Sequence, residues 1–130
     1  MSQAVSTVLL KKYATFNGRA GLDEYWWYIL FLTLGNVIFI SLDNFLGTTA
    51  GFMYQGNIEI KTSLFNGMFS LLTLIPSIAV ATRRLHDVNK SGWWQLLIFT
   101  IIGLIPLIYW LIKKSTNEEN KWSETPSIKT

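Results

Sequence analysis

The sequence lacks cysteine altogether and has few charged residues. Without cysteine the chain has no disulfide, no thiolate metal ligand and no cysteine nucleophile. Only 15% of its 130 residues are charged, against about 25% in average soluble proteins, whereas 50% are apolar. This is too small a share of polar side chains to cover the surface of a soluble globular protein. The composition therefore indicates a one-domain membrane protein.

Charge is also missing from three long apolar stretches. They are residues 25–42, 62–82 and 93–112. Apolar runs of about 20 residues are typical of transmembrane helices. Extended to residue 46, the first is about 33 Å long as a helix, enough to cross a hydrocarbon core of about 30 Å. We therefore expect an all-α integral membrane protein with three transmembrane helices, at about residues 25–46, 63–82 and 93–112.

The third stretch leaves an alternative, because Gly103 and Pro106 lie at its centre. Ser91 is a suitable N-cap for a helix that begins just after it. A full span is expected from there to residue 112. The alternative is two spans plus a re-entrant helical hairpin that turns at Gly103–Pro106.

The segments outside the spans are polar. Residues 1–24 form an N-terminal interfacial segment, in which apolar residues at helical spacing alternate with Lys11 and Lys12. This pattern predicts a short amphipathic helix at the membrane surface, with a frayed terminus as the alternative. Residues 47–61 are glycine-rich and are expected to form a loop. Residues 113–130 are expected to form a mostly disordered polar tail.

Aromatic residues gather where the spans begin and end. Amphipathic rings settle at the level of the lipid headgroups. On one continuous helix, the rings at the two ends of the third stretch would lie about 25 Å apart, in two separate belts. The aromatic residues expected at the membrane interfaces are Tyr25, Trp26, Trp27, Trp93, Trp94, Tyr109 and Trp110.

Lysine and arginine predict the orientation. Six of them lie before the first span or in the segment from Arg83 to Trp94. With three spans, the basic residues on the opposite side of the membrane would be Lys61, Lys113 and Lys114. Positive residues near span ends favour the cytoplasmic side. Three spans would place the N-terminus and the arginine-rich segment in the cytoplasm and the tail outside. The hairpin would return the tail to the cytoplasm.

The segment from Arg83 to Trp94, RRLHDVNKSGWW, is densely charged and holds the single histidine. If the second helix continues past Thr82, Asp87 falls beside Arg83 at i, i+4 and beside Arg84 at i, i+3. We expect a charged cluster on one face of the membrane, shared with the flank of the first span. Its predicted members are Arg19, Asp23, Glu24, Arg83, Arg84, His86, Asp87 and Lys90.

This cluster allows three interpretations. Arginine–carboxylate pairs can clamp the helices together. Alternatively, Arg83, Arg84 and Lys90 bind an anionic headgroup, or His86 acts as a base beside Asp87. No serine or cysteine nucleophile at a recognisable elbow accompanies that histidine, so no catalytic residue is assigned. One histidine with scattered carboxylates also lacks metal-ligand spacing, and no metal or cofactor is predicted.

The leading functional hypothesis is a non-enzymatic membrane module that binds or organises an anionic lipid or a protein partner, including a second copy. The first alternative is a small oligomeric transporter or channel subunit. Charged residues and histidine are absent from the three charge-free stretches, which counts against proton coupling. The second alternative is a membrane enzyme that acts on a lipid phosphate through His86. No basic groove with stacking aromatics is visible, so nucleic acid is not an expected partner.

Two parts of the sequence resemble a known family. They are residues 13–20, YATFNGRA, with EYW at 24–26, and Pro76 with RRLHD at 83–87 and SGWW at 91–94. On these residues the chain resembles the small bacterial inner-membrane proteins of the YhaH/YhaI type, a domain of unknown function (DUF805). Ser123 stands where the family's tail usually has glycine. The resemblance implies a multi-pass protein of the bacterial inner membrane and brings no established activity.

Overall fold

The computed structural model describes residues 2–54 and 58–115, with side chains described outside 50–62. Within these residues, the regular elements are helices apart from one pair of strands. In order, the elements are α1 (Ser2–Ser6), which continues as a π-helix (Thr7–Lys11), α2 (Leu22–Leu46), β1 (Thr49–Tyr54), β2 (Ile58–Ser63), α3 (Leu64–Asp87), a 3₁₀ helix (Gly92–Phe99) and α4 (Ile101–Ile112). Residues 116–130, including nearly all of the predicted disordered tail, lie outside the described residues.

Two helices, α2 and α3, are long and apolar enough to cross a membrane. They have 25 and 24 residues, which corresponds to about 36–38 Å each. Helix α2 begins with acidic residues and α3 ends with basic ones, so that each charge suits its end of the helix dipole. Helix α3 runs five residues past Thr82, to Asp87. The RRLHD sequence is therefore the last turn of a helix.

Contacts divide the chain into two units, residues 30–74 and the remainder. In the first of these, β1 and β2 pair antiparallel, from Thr49 opposite Ser63 to Tyr54 opposite Ile58. The loop expected over 47–61 is therefore wrong in part, because most of it is a β-hairpin. A strand signal was present in Ile58–Ser63, where β-branched residues alternate with charged or polar ones, but the surrounding glycines obscured it.

Asp43 fixes the start of α3 within the same unit. Its buried carboxylate accepts hydrogen bonds from the amides of Phe65 at 3.0 Å and Asn66 at 2.9 Å, and from the hydroxyl of Thr48 at 2.5 Å. The first amides of a helix have no partner within the helix. A carboxylate from α2 therefore caps α3.

The third apolar stretch is divided into two helices. The 3₁₀ helix is capped by Ser91, whose side chain accepts from the amide of Trp93. It ends at Thr100, which is extended at φ −118° and ψ 134°. The Thr100 hydroxyl then accepts a hydrogen bond from the backbone amide of Gly103 at 3.1 Å and so caps α4. One threonine thus terminates one helix and begins the next.

The two helices fold back on each other. The rings of Trp94 and Trp110 lie 5.4 Å apart, edge to face, whereas 16 residues of continuous helix would separate them by about 24 Å. The expectation of two aromatic belts is therefore wrong for this stretch, since both ends lie together. The structure has the alternative arrangement, two long helices with a helical hairpin, and the hairpin turns at Thr100 and not at Gly103–Pro106.

Candidate functional site

The charged cluster is built first around Asp87, at the end of α3. Arg19, from the segment before α2, places Nη2 at 2.7 Å and Nε at 2.9 Å from Asp87 Oδ1. Arg84 donates from Nη1 to the other oxygen, Oδ2. All three side chains are fully buried. One carboxylate thus holds two arginines through charge-assisted hydrogen bonds, which are stronger than neutral ones.

A second ion pair joins the two long helices. Arg83 donates from Nη1 to Oε1 of Glu24, in the first turn of α2, and both side chains are fully buried. The predicted pairing of Arg83 with Asp87 is wrong, whereas that of Arg84 with Asp87 is present. Arg83 and Asp87 share a face of α3, but the Arg83 guanidinium is directed to Glu24 on α2, and both oxygens of Asp87 are occupied by Arg19 and Arg84.

His86 fixes the glycine turn before α2. Its Nδ1 lies 3.0 Å from the carbonyl oxygen of Gly18, and because a carbonyl only accepts, Nδ1 must carry the hydrogen. Gly18 has φ 89°, a left-handed conformation that favours glycine. Two residues on, the amide of Ala20 donates to the carbonyl of Arg83 at 2.9 Å. The NGRA motif therefore docks on the end of α3.

The hairpin returns to this cluster. Arg84 donates from Nε to the carbonyl of Leu111 at 3.1 Å, and from Nη2 to the carbonyl of Lys113. The indole of Trp26 also donates to Leu111, at 3.3 Å. The last carbonyls of a helix lack partners within it. Arg84 therefore caps α4 and fixes the end of the hairpin beside Asp87.

The remaining predicted members lie at the edge of the cluster. Asp23 is exposed at the start of α2. Lys90 is half-buried, with Nζ 5.0 Å from the centre of the Trp110 ring, within the range of a cation–π interaction. Of the predicted interface aromatics, Tyr25 is buried and Trp110 half-buried. The exposed ones are Trp26, Trp27, Trp93, Trp94 and Tyr109.

An apolar cleft of about 770 Å³ lies beside the cluster. It is open on one side, between α3, the 3₁₀ helix, α4 and the segment before α2. Its apolar walls are formed by Phe16, Tyr25, Ile78, Ala81, Trp93, Leu96, Ile98, Phe99, Leu107 and Leu111. The polar residues that line it are Asn17, Thr82, His86, Ser91 and Gln95. The sequence did not predict this cleft, because one of its walls is the helical hairpin. That hairpin was only the alternative to a full third span.

The SGWW sequence sets the close approach of the 3₁₀ helix to α3. A Cβ on Gly92 would lie 2.5 Å from Cγ2 of Thr82, a distance that real Cβ atoms do not tolerate. One turn on, the Gln95 amide donates to Oγ1 of Thr82 at 2.5 Å. Gly92 and Thr82 therefore determine the width of the cleft at its polar side.

Lys12 interacts electrostatically with the cluster, although it was not among the predicted members. It is half-buried. Burial, and then the positive charge of Arg83, lower the pKa of the Lys12 ammonium below its ordinary value, against the opposing charge of Glu24. Arg83 and Glu24 thus both act electrostatically on Lys12. Among the described residues, no group of three histidine, aspartate or glutamate side chains is arranged to hold a metal ion.

Comparison with known proteins identifies the family. A family model described as "Protein of unknown function (DUF805)" matches residues 13–124. The chain belongs to the DUF805 family. It is 36% identical over 126 residues to inner membrane protein YhaH of Escherichia coli strain K12, covering 92% of this chain and 93% of that protein. It is 31% identical over 121 residues to inner membrane protein YhaI of the same strain, covering 92% of each. No solved structure matches the chain.

Membership in the DUF805 family agrees with the architecture. The relatives are named inner membrane proteins, and α2 and α3 are apolar over the length that a bilayer requires. The predicted class, a helical membrane protein, is confirmed. The family match also extends over the NGRA motif, RRLHD and SGWW, which are the segments that form the charged cluster and one side of the cleft.

Proposed function

We propose that this DUF805 protein is a non-enzymatic module of the bacterial inner membrane that binds a membrane lipid in its apolar cleft. The observation that carries the proposal is the cleft itself. Its volume of about 770 Å³ lies within the range of small-molecule pockets, about 300–1,000 Å³. Most of its lining is apolar, and its polar residues include His86 and Ser91, at and just after the end of α3. Such a lining suits an acyl chain with a polar headgroup.

The charged cluster acts in this proposal as the clamp that shapes the cleft. Arg84 is buried and donates to Asp87 and to the end of α4, so it does not face a headgroup. The polar residues that line the cleft, Asn17, His86 and Ser91, are the contacts we assign to the headgroup. Lys90 follows the end of α3 and lies close to the same region, where its charge favours an anionic lipid.

We also propose that the chain crosses the membrane twice and that the hairpin enters and leaves on the cytoplasmic side. Basic residues near the ends of spans favour that side. With the hairpin folded back, Lys113 and Lys114 join the N-terminal flank, and Lys61 alone lies between α2 and α3 in the sequence. The eight residues then assigned to the cytoplasmic side are Lys11, Lys12, Arg19, Arg83, Arg84, Lys90, Lys113 and Lys114.

A cleft-filling variant tests lipid binding. Ala81→Phe places a ring in the cleft, and Leu74→Phe places one on an exposed position of the same helix. Each full-length protein would be purified in a detergent without phosphate, and the bound phospholipid counted by native mass spectrometry. We expect Ala81→Phe to lose most of the retained lipid and Leu74→Phe to keep it. Equal retention by a folded Ala81→Phe protein would refute the proposal.

A further inference from the structure

Arg83 has hydrogen-bond donors that its ion pair does not use. Its guanidinium is fully buried, and Nη1 donates to Glu24. Its Nε and Nη2 are also buried and have no hydrogen-bond partner among the residues that the structure describes. Buried donors without an acceptor are costly and uncommon in folded proteins. Two on one side chain therefore indicate an acceptor that the described residues do not supply.

The two neighbouring arginines identify the kind of acceptor. Nε and Nη2 share one edge of the guanidinium plane, the edge that forms paired hydrogen bonds with an oxyanion. Arg19 places this edge against the carboxylate of Asp87. Arg84 places it against the carbonyl oxygens of Leu111 and Lys113. By the same geometry, the edge of Arg83 suits two oxygen acceptors, as a phosphate provides.

The local charge also favours an anion. The positive charges of Lys12 and Arg83 oppose each other, and Glu24 contributes one negative charge to the group. Two positive groups and one carboxylate leave an excess positive charge in a partly dehydrated place, where electrostatic attraction is stronger than in water. Lys12 is only half-buried, so its side of the group adjoins the surface.

We propose that Arg83 and Lys12 bind a phosphate group, either free or on a lipid headgroup, at a site separate from the cleft. Arg83 supplies the paired donors of Nε and Nη2, and the half-buried Lys12 supplies an ammonium. Glu24 holds the guanidinium in place from its other edge. The described residues that line the cleft do not include these three, so the site stands independently of lipid binding there.

The test compares Lys12→Gln with Lys11→Gln, since Lys11 is the exposed neighbour. Thermal unfolding of the full-length protein, in a detergent without phosphate, is followed by circular dichroism as inorganic phosphate is added at constant ionic strength. A ligand that binds only the folded state raises the midpoint with concentration. We expect this rise in the wild type and in Lys11→Gln, and an apparent Kd at least about tenfold weaker in Lys12→Gln.

A second arm separates the two sources of phosphate. The same proteins are unfolded in bilayer discs of phosphatidylglycerol and in discs of a neutral glycolipid without phosphate. Stabilisation by free phosphate assigns a soluble anion. Stabilisation by phosphatidylglycerol alone, again lost in Lys12→Gln, assigns a headgroup. If neither phosphate source stabilises the wild type, or if Lys11→Gln and Lys12→Gln respond alike, the proposed site does not exist.

A third variant addresses the paired donors. Arg83→Lys keeps the positive charge that faces Glu24 but removes the two parallel N–H groups. We expect it to fold and to lose the response to phosphate. A full response in Arg83→Lys would contradict the assignment of Nε and Nη2.

Discussion

At the scale of single residues, Asp87 has the largest electrostatic role in the cluster, since its two oxygens hold Arg19 and Arg84. Asp87→Asn preserves the shape of the side chain but removes the carboxylate charge that pairs with two buried guanidinium groups. Removing one partner of a buried ion pair costs about 3–5 kcal/mol. We therefore expect Asp87→Asn to lower the free energy of unfolding in detergent by at least that much.

The control for this prediction is Asp23→Asn, because Asp23 is exposed in the first turn of α2. Its interaction with the helix dipole is worth at most about 1 kcal/mol. Urea titrations of both variants, followed by circular dichroism, give the comparison. Similar losses for the two would mean that the buried network does not clamp the chain.

Lys12 gives a prediction about pH. Because burial and Arg83 lower its pKa, the folded chain holds this proton less tightly than the unfolded chain does. Stability is then reduced below the folded pKa and rises with pH between the folded pKa and the ordinary value of about 10.4. In phosphate-free buffer, Lys12→Gln should raise the unfolding midpoint at pH 7, by an amount that shrinks as the pH approaches 10.

Lys11→Gln again serves as the matched control, since Lys11 is exposed. Its unfolding midpoint should follow that of the wild type at each pH. A gain in Lys12→Gln that does not depend on pH would show that the ammonium charge is not the cause.

At the scale of elements, the contact of the 3₁₀ helix with α3 depends on Gly92. A Cβ there would meet Cγ2 of Thr82, and overpacking of this kind costs about 1–3 kcal/mol. Gly92→Ala should therefore lower the unfolding midpoint. The double variant with Thr82→Ser should recover most of the loss, since serine lacks Cγ2 but keeps the hydroxyl that accepts from Gln95.

Gly67→Ala provides the comparison within α3, because no atom lies within 4 Å of a Cβ built there. Alanine stabilises a helix interior by about 1 kcal/mol relative to glycine, so this variant should unfold at a higher temperature. The prediction for Gly92 fails if both alanine variants shift the midpoint in the same direction.

The elements also show what sequence patterns predict. The two long helices follow from charge-free length, because a bilayer requires that length. The hairpin does not follow from length, because hydropathy averaged over a long window cannot detect a single residue that interrupts a helix. Gly103 and Pro106 indicated the wrong position: both lie inside α4, and a Cβ on Gly103 would clash with the Thr100 hydroxyl. The N-cap preference of threonine, three residues before Gly103, was the usable signal.

The sequence predicted which residues belong to the charged cluster better than it predicted which of them form ion pairs. RRLHD and the flank of α2 were expected on one face because their charges suit the ends of the two helices. Which arginine meets which carboxylate depends on side-chain direction about α3, and the Arg83–Glu24 pair spans 59 residues. Local spacing predicted Asp87 as a partner of both Arg83 and Arg84, and only the i, i+3 pair with Arg84 forms. Partners supplied by the returning hairpin could not be predicted while α4 was expected on the opposite side.

At the scale of the whole molecule, the fold predicts a membrane topology that differs from three spans. The end of α4 is held by Arg84, at the end of α3, so residues 113–115, which follow α4, lie on the same side as the start of α2. Single cysteines report this without background, since the chain has none. The exposed positions Ser2, Asn44 and Lys114 suit labelling in intact cells with a reagent that does not cross the inner membrane.

Asn44 lies in the last turn of α2, which crosses the membrane once in this topology. Asn44→Cys should therefore be labelled from outside, whereas Ser2→Cys and Lys114→Cys should react only after the membrane is permeabilised. Three spans predict that Lys114→Cys is labelled in intact cells, because the third span would carry the tail across. That result would mean that the hairpin opens in the bilayer and that Arg84 gives up its bonds to α4. Protection of Lys114→Cys would instead place the polar groups of the cleft on the cytoplasmic face, where anionic lipids attract basic residues.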